Sequence, residues 1–191
     1  MNRQLVRLLL ETGLIQFGRF NHNAETLPFR FNLEMLPAYP DVLRAMVSDA
    51  KPLLTGMRAN SLLCTYDALP LGVGLSVETD IPLIYSRGSS EAAVYDLIGA
   101  YAIGHPTVLL TNVFADFDHI ARLMAGAKQV GLEVHSILAI INLGIVSIPQ
   151  NVRVVELLQL PNLTNELALS GDLPRSQAQT IVQWIKSHME L

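Results

Sequence analysis

The sequence predicts a three-layer α/β fold: a mostly parallel central sheet with helices on both faces, plus a small N-terminal hood of helix and strands. Two observations predict it. From residue 61 onward, short apolar β-type runs alternate with helix-length segments, and strands that are apolar on both sides belong to a sheet covered on both sides. The composition, 50% hydrophobic and 16% charged over 191 residues, supplies a core of ordinary size and excludes disorder. Residues 1–191 are expected to form a single domain, with 1–38 as the hood segment, 39–167 as the core and 168–191 as a C-terminal helix.

Each element has its own signal. Residues 3–12 place Leu5, Leu8 and Leu9 on one helical face, and Gly13 ends the helix. Leu14–Phe20 and Phe29–Leu33 read as short strands around a polar connector, Asn21–Thr26. Tyr39-Pro40-Asp41 opens a helix with Val42, Leu43, Met46 and Val47 on its buried side. That helix is expected to end near Lys51-Pro52, because proline lacks the amide a helix interior needs. Ser61–Tyr66 is a strand, Pro70–Val77 a helix despite Gly72 and Gly74, Ile81–Tyr85 a strand, and 86–104 a mixed loop and hairpin region. Thr107–Gly131 starts as a β-run bounded by Pro106, passes through polar Thr111 and Asn112, and enters a loop carrying Asp116 and Asp118. It becomes helical from Ile120, with Leu123, Met124 and Ala127 at helical spacing and Gly131 as the stop. Glu133–Leu143 and Val152–Leu158 are strands, Leu163–Leu169 is a short turn or helix, and Ser176–Met189 is a closing helix presenting Ile181, Val182, Trp184 and Ile185.

Several function classes are excluded. The net charge of −4 has no basic block, so nucleic-acid binding lacks an electrostatic basis. A lone cysteine, Cys64, allows neither an intramolecular disulfide nor a thiolate zinc cluster and reads as a small buried residue. The most apolar segment, Val134–Ile148, is interrupted by Ser136, Asn142 and Gly144 and falls short of the roughly 20 residues of a membrane span. No signal peptide is recognisable, and a cytoplasmic location is expected.

A strand feeding a helix across a polar loop is where α/β folds bind phosphates and small ligands. The pieces around that site resemble orotate phosphoribosyltransferase. Glu11–Phe20 after the opening helix, the Tyr39–Leu43 helix start, and Leu69–Gly88, a helix leading to a strand that closes on Tyr85-Ser86-Arg87, are similar to successive segments of that family. Thr107–Gly131 stands where the family has its phosphoribosyl-pyrophosphate loop and helix, and Val154–Leu167 with the final helix suits its ending. The resemblance implies a type I phosphoribosyltransferase fold, a setting in pyrimidine metabolism, and a homodimer in which each subunit lends its hood to the other.

The family's chemistry needs carboxylates for the ribose hydroxyls, a backbone cradle for the 5′-phosphate, and Mg²⁺ with mobile cations for the leaving pyrophosphate. This chain has Thr111-Asn112 in the acidic slots and Ala115-Asp116-Phe117-Asp118-His119 in the Thr- and Gly-rich loop. The turn that touches pyrophosphate is shortened to Asp67-Ala68-Leu69. Arg87 is followed by Gly88-Ser89-Ser90 without the family's lysines, the chain's only lysines being Lys51, Lys128 and Lys186. Where the family shows a lysine and then Ser-Gly-Arg, His22–Thr26 stands instead.

The candidate ligand cleft is therefore Asp67, Ala68, Arg87, Thr111, Asn112, Ala115, Asp116, Phe117, Asp118 and His119, and no catalytic residue is assigned. Asp116, Asp118 and His119 form an oxygen/nitrogen set for a divalent cation, or else Asp118 caps the helix and the others are solvated. The expected function is a small-ligand-binding or regulatory module that lacks standard phosphoribosyl-pyrophosphate chemistry and needs no cofactor. One alternative is an active orotate or related nucleobase phosphoribosyltransferase, a pentosyl transferase using Mg²⁺ and phosphoribosyl pyrophosphate through divergent motifs. Another is a structural dimer.

Overall fold

A computed structural model describes residues 2–22, 25–86, 97–100, 102–146, 148 and 150–189. Asn2 starts the first helix, α1 (Arg3–Glu11), its side-chain oxygen accepting from the amides of Gln4 and Leu5. Gly13, at φ +70°, turns the chain out of it. The chain then forms an antiparallel hairpin, β1 (Ile15–His22) and β2 (Glu25–Phe31). Pairing continues to His22↔Glu25, so residues expected in the connector belong to the strands. A 3₁₀ turn (Leu33–Ala38) leads to α2 (Pro40–Thr55). This helix does not stop at Pro52. Its buried stripe of Val42, Met46, Val47, Ala50 and Leu54 runs past the proline, and burying Leu54 outweighs one missing amide bond.

The remaining elements are β3 (Ser61–Cys64), α3 (Leu69–Thr79), β4 (Leu83–Ser86), β5 (Leu97–Ile98), β6 (Pro106–Phe114), α4 (Phe117–Gln129), β7 (Glu133–Asn142), β8 (Arg153–Gln159), α5 (Leu160–Ser170) and α6 (Arg175–His188). Six strands form one sheet in the order β5-β4-β3-β6-β7-β8, parallel throughout except for β5. α5 begins earlier than expected, because Pro161 sits in its first turn, where proline costs no hydrogen bond.

Alternation along the strands divides the core. Leu62, Cys64, Val108, Leu110, Leu138 and Ile140 face the helices that carry Met46, Leu71, Leu163 and Ile181. Leu63, Leu109, Ile137 and Ala139 face the other way, against Ile120, Leu123 and Ala127 of α4. Adjacent residues therefore serve opposite layers, which is why these strands lack a polar side.

The two glycines of α3 are what let it sit close. A Cβ on Gly72 would meet Cys64 Sγ at 3.2 Å, and one on Gly74 would meet Val47 Cγ2 at 2.6 Å. The hairpin is tied to α6: Trp184 packs edge-on to Phe29 at 4.9 Å and stacks on His188 at 4.0 Å. Glu25 Oε1 accepts from Trp184 Nε1 and faces His188 Nε2, each at 3.0 Å. Among the described residues, no helix is long and apolar enough to cross a membrane.

Candidate functional site

β3 connects through α3 to β4 on one side, whereas β6 connects through α4 to β7 on the other. The carboxyl ends of β3 and β6 therefore diverge into opposite layers, and the crevice between them is the topological switch point where open α/β sheets bind ligands. Thr65, just past β3, is buried and donates its amide to Leu110 O at 3.1 Å, holding the two strand ends together. The chain then makes a 3₁₀ turn, Tyr66–Ala68, that runs without a break into α3.

Nine of the ten sequence-predicted residues lie at this crevice or at the adjoining start of α4; Arg87 lies outside the described residues. Asp67 is exposed and Ala68 buried. Thr111 and Asn112 are both buried, within β6, which continues to Phe114 because it stays paired with β7 through Thr111↔Ala139 and Phe114↔Asn142. Thr111 Oγ1 lies 3.4 Å from Val113 O. Asn112 reaches across the crevice and donates from Nδ2 to the backbone carbonyl of Asp67 at 2.6 Å. Its Oδ1 is buried and has no hydrogen-bond partner among the described residues.

The loop beyond β6 is only Ala115 and Asp116. Ala115 packs against the first core cluster and Phe117 against the second. The helix cap is Asp116, not Asp118: Asp116 Oδ1 accepts from the amide of Asp118 at 2.8 Å, and Asp118 occupies the first helical turn. Phe117 decides this. It packs edge-on to buried Phe114 at 6.5 Å, which draws it into the helix and starts α4 ahead of Ile120. Among the described residues, no group of three or more His, Cys, Asp or Glu is placed to hold a metal ion. The Asp116 carboxylate is turned onto the helix end, with Asp118 and His119 exposed beside it.

Among the described residues, the charges at the crevice are negative. Its described residues include Asp67, Asp116 and Asp118 but no lysine or arginine. The field reaches the core: burial first, and the charge of Asp67 second, push the Cys64 thiol up to about 12. Sequence reasoning left two neighbours out, Thr65 and Asn142. Asn142 ends β7 beside Phe114 and accepts the Gly144 amide at 2.9 Å; its signal was a polar residue closing an apolar run. A cavity of about 790 Å³ lies elsewhere, between α1 and α5, and none of the candidate residues lines it. Arg7, on its wall, is already paired with Glu11 at 2.7 Å.

No protein-family model matches the sequence, and no curated protein matches it. Solved structures do. UMP synthase from Leishmania donovani superposes with a TM-score of 0.82 at 20% identity, covering 96% of this chain and 42% of that one. Orotate phosphoribosyltransferase from Francisella tularensis gives 0.76 at 13% identity, covering 96% and 98%. The enzyme from Aeropyrum pernix gives 0.70 at 17% identity, covering 86% and 99%. The chain thus spans less than half of the UMP synthase and nearly the full length of both orotate phosphoribosyltransferases. It has the type I phosphoribosyltransferase fold, with orotate phosphoribosyltransferases and UMP synthase as its structural neighbours.

Proposed function

We propose that this protein does not carry out Mg²⁺-dependent transfer from phosphoribosyl pyrophosphate and works instead as a small-ligand-binding or regulatory module on the phosphoribosyltransferase fold. The observation that carries this reading is the start of α4. A phosphate binds at such a helix end through free amides and the positive end of the dipole. Here the Asp116 carboxylate already accepts the Asp118 amide, and the Asp118 carboxylate follows in the first turn. A phosphate dianion would have to displace one anion and sit beside another. The residues that face the crevice do not fit phosphoribosyl pyrophosphate with Mg²⁺.

What they fit is a ligand without negative charge. Neutral Thr111 and Asn112 stand within β6, two to three residues before its end at Phe114, and the buried Asn112 oxygen, without a partner among the described residues, has capacity for a donor such as a hydroxyl or amide. The three aspartates tolerate an uncharged or cationic molecule and disfavour an anion.

The test is thermal shift with isothermal titration on the full chain. Phosphoribosyl pyrophosphate with Mg²⁺ leaves the melting temperature unchanged up to millimolar concentration, and no pyrophosphate is released with orotate. A panel of nucleobases, nucleosides and neutral sugars contains a compound that raises it. Formation of orotidine monophosphate would overturn the proposal. A silent panel would move the protein to the purely structural class.

A further inference from the structure

The joint between the hairpin and α6 specifies a charge. The ring of His188 has an acceptor at each nitrogen: Nε2 lies 3.0 Å from Glu25 Oε1, and Nδ1 lies 2.7 Å from the backbone carbonyl of Trp184. A neutral imidazole carries one N–H and one bare lone pair. In either neutral tautomer, one of these two contacts would set lone pair against lone pair. The Ser187 hydroxyl, 3.1 Å from Nδ1, does not relieve this. Even with its proton turned from the Trp184 carbonyl to Nδ1, that carbonyl would still face a bare nitrogen at 2.7 Å. The imidazolium, with a proton on each nitrogen, makes both bonds. Two further features favour the cation. The ring stacks at 4.0 Å on the indole of Trp184, whose face attracts positive charge. His188 is also the last residue of α6, at the negative end of the helix dipole.

We infer that proton uptake at His188 latches the hairpin to α6. The protonated ring holds the Glu25 carboxylate and with it the start of β2; loss of the proton to solvent frees the carboxylate and loosens the hairpin. The other charged groups on the elements packed here leave Glu25 as the ring's partner. On β2, Arg30 sits over the Phe20 ring at 4.8 Å. On α6, Arg175 is at the far end, and Lys186 is two positions back, a spacing at which helix residues do not face each other. α5, packed on α6, carries one titratable residue, Glu166, which lines the cavity beside α1. His22 stands opposite Glu25 in the hairpin register and so belongs to the element being held. The sign follows from the charges. The latch is closed below the range in which a free histidine titrates, about pH 6.5, and opens as the pH rises and the ring loses its proton. It weakens again in acid, where a free glutamate takes up a proton near about pH 4.3. The hairpin is therefore held most firmly in mildly acidic solution. The latch works whether or not the crevice binds a ligand.

Hydrogen exchange on the full chain, at about pH 5.5 and about pH 8, reads the latch. After correction for the intrinsic exchange rate, protection of the β1 and β2 amides falls by roughly fivefold or more at the higher pH. Protection of β6 and β7 stays the same. His188→Gln keeps a donor for Glu25 but takes up no proton, and it abolishes the difference between the two pH values. His22→Gln, which changes the other histidine beside Glu25, leaves the difference in place. Equal hairpin protection at both pH values in the unaltered protein would overturn the inference. So would a difference that survives His188→Gln, or one that vanishes in His22→Gln.

Discussion

Cys64 shows how the sheet alters the chemistry of a side chain. It is fully buried, as its apolar sequence context implied, and its thiol is pushed up from 9.0 to about 12. Two consequences follow. In the native protein at pH 8 the thiol does not react with an aromatic disulfide reagent, and it reacts at once after denaturation. The raised value also sets a pH dependence. The unfolded thiol loses its proton from about pH 9 while the folded one keeps it, so this contribution is intact below pH 9 and is lost progressively between pH 9 and about 12. Denaturant unfolding across that range gives a falling stability, and Cys64→Ala removes the thiol's share of the slope. The same scale explains what was legible at the crevice. Residue types and order gave Asp67, Thr111, Asn112 and Asp116 as neighbours, because strand ends at a switch point converge. That Asn112 spends its amide nitrogen on the carbonyl of Asp67 depends on a distance between two strands, which no local pattern encodes.

At the level of elements, the misjudged boundaries have one cause. Local rules named Pro52 as a stop and Asp118 as a cap, and in both places tertiary packing decided otherwise, through buried Leu54 in α2 and through Phe117 against Phe114 in α4. Helix α3 is the reverse case. Its glycines weaken it as an isolated helix, yet they are what lets it approach Cys64 and Val47. The capping assignment has a measurable cost. Asp116→Ala removes the acceptor of the Asp118 amide and lowers unfolding stability by about 1 kcal/mol, whereas Asp116→Ser retains most of it. Equal stability of the alanine variant in chemical denaturation would show that the carboxylate is not the cap.

For the whole molecule, strand character and the mostly parallel sheet were legible because continuous apolar runs belong to a sheet covered on both faces, whereas the order of the strands was not. The joint between hairpin and α6 was not, since Glu25 and Trp184 lie 159 residues apart. Glu25 Oε1 serves both Trp184 and His188 there, so one substitution cuts both links. Glu25→Ala is expected to cost about 1 kcal/mol. Hydrogen exchange then accelerates at the amides of β1 and β2 while those of β6 and β7 stay protected. Uniform acceleration across the sheet would mean that the hairpin and the sheet open as one unit.

Trp184 is the chain's single tryptophan, and it sits in that joint with an imidazole stacked on its indole ring. The protein therefore carries its own fluorophore with a quencher held in place. Any event that lifts the hairpin from the final helix separates the two rings and brightens the emission, so the motion can be followed in real time without attaching a dye.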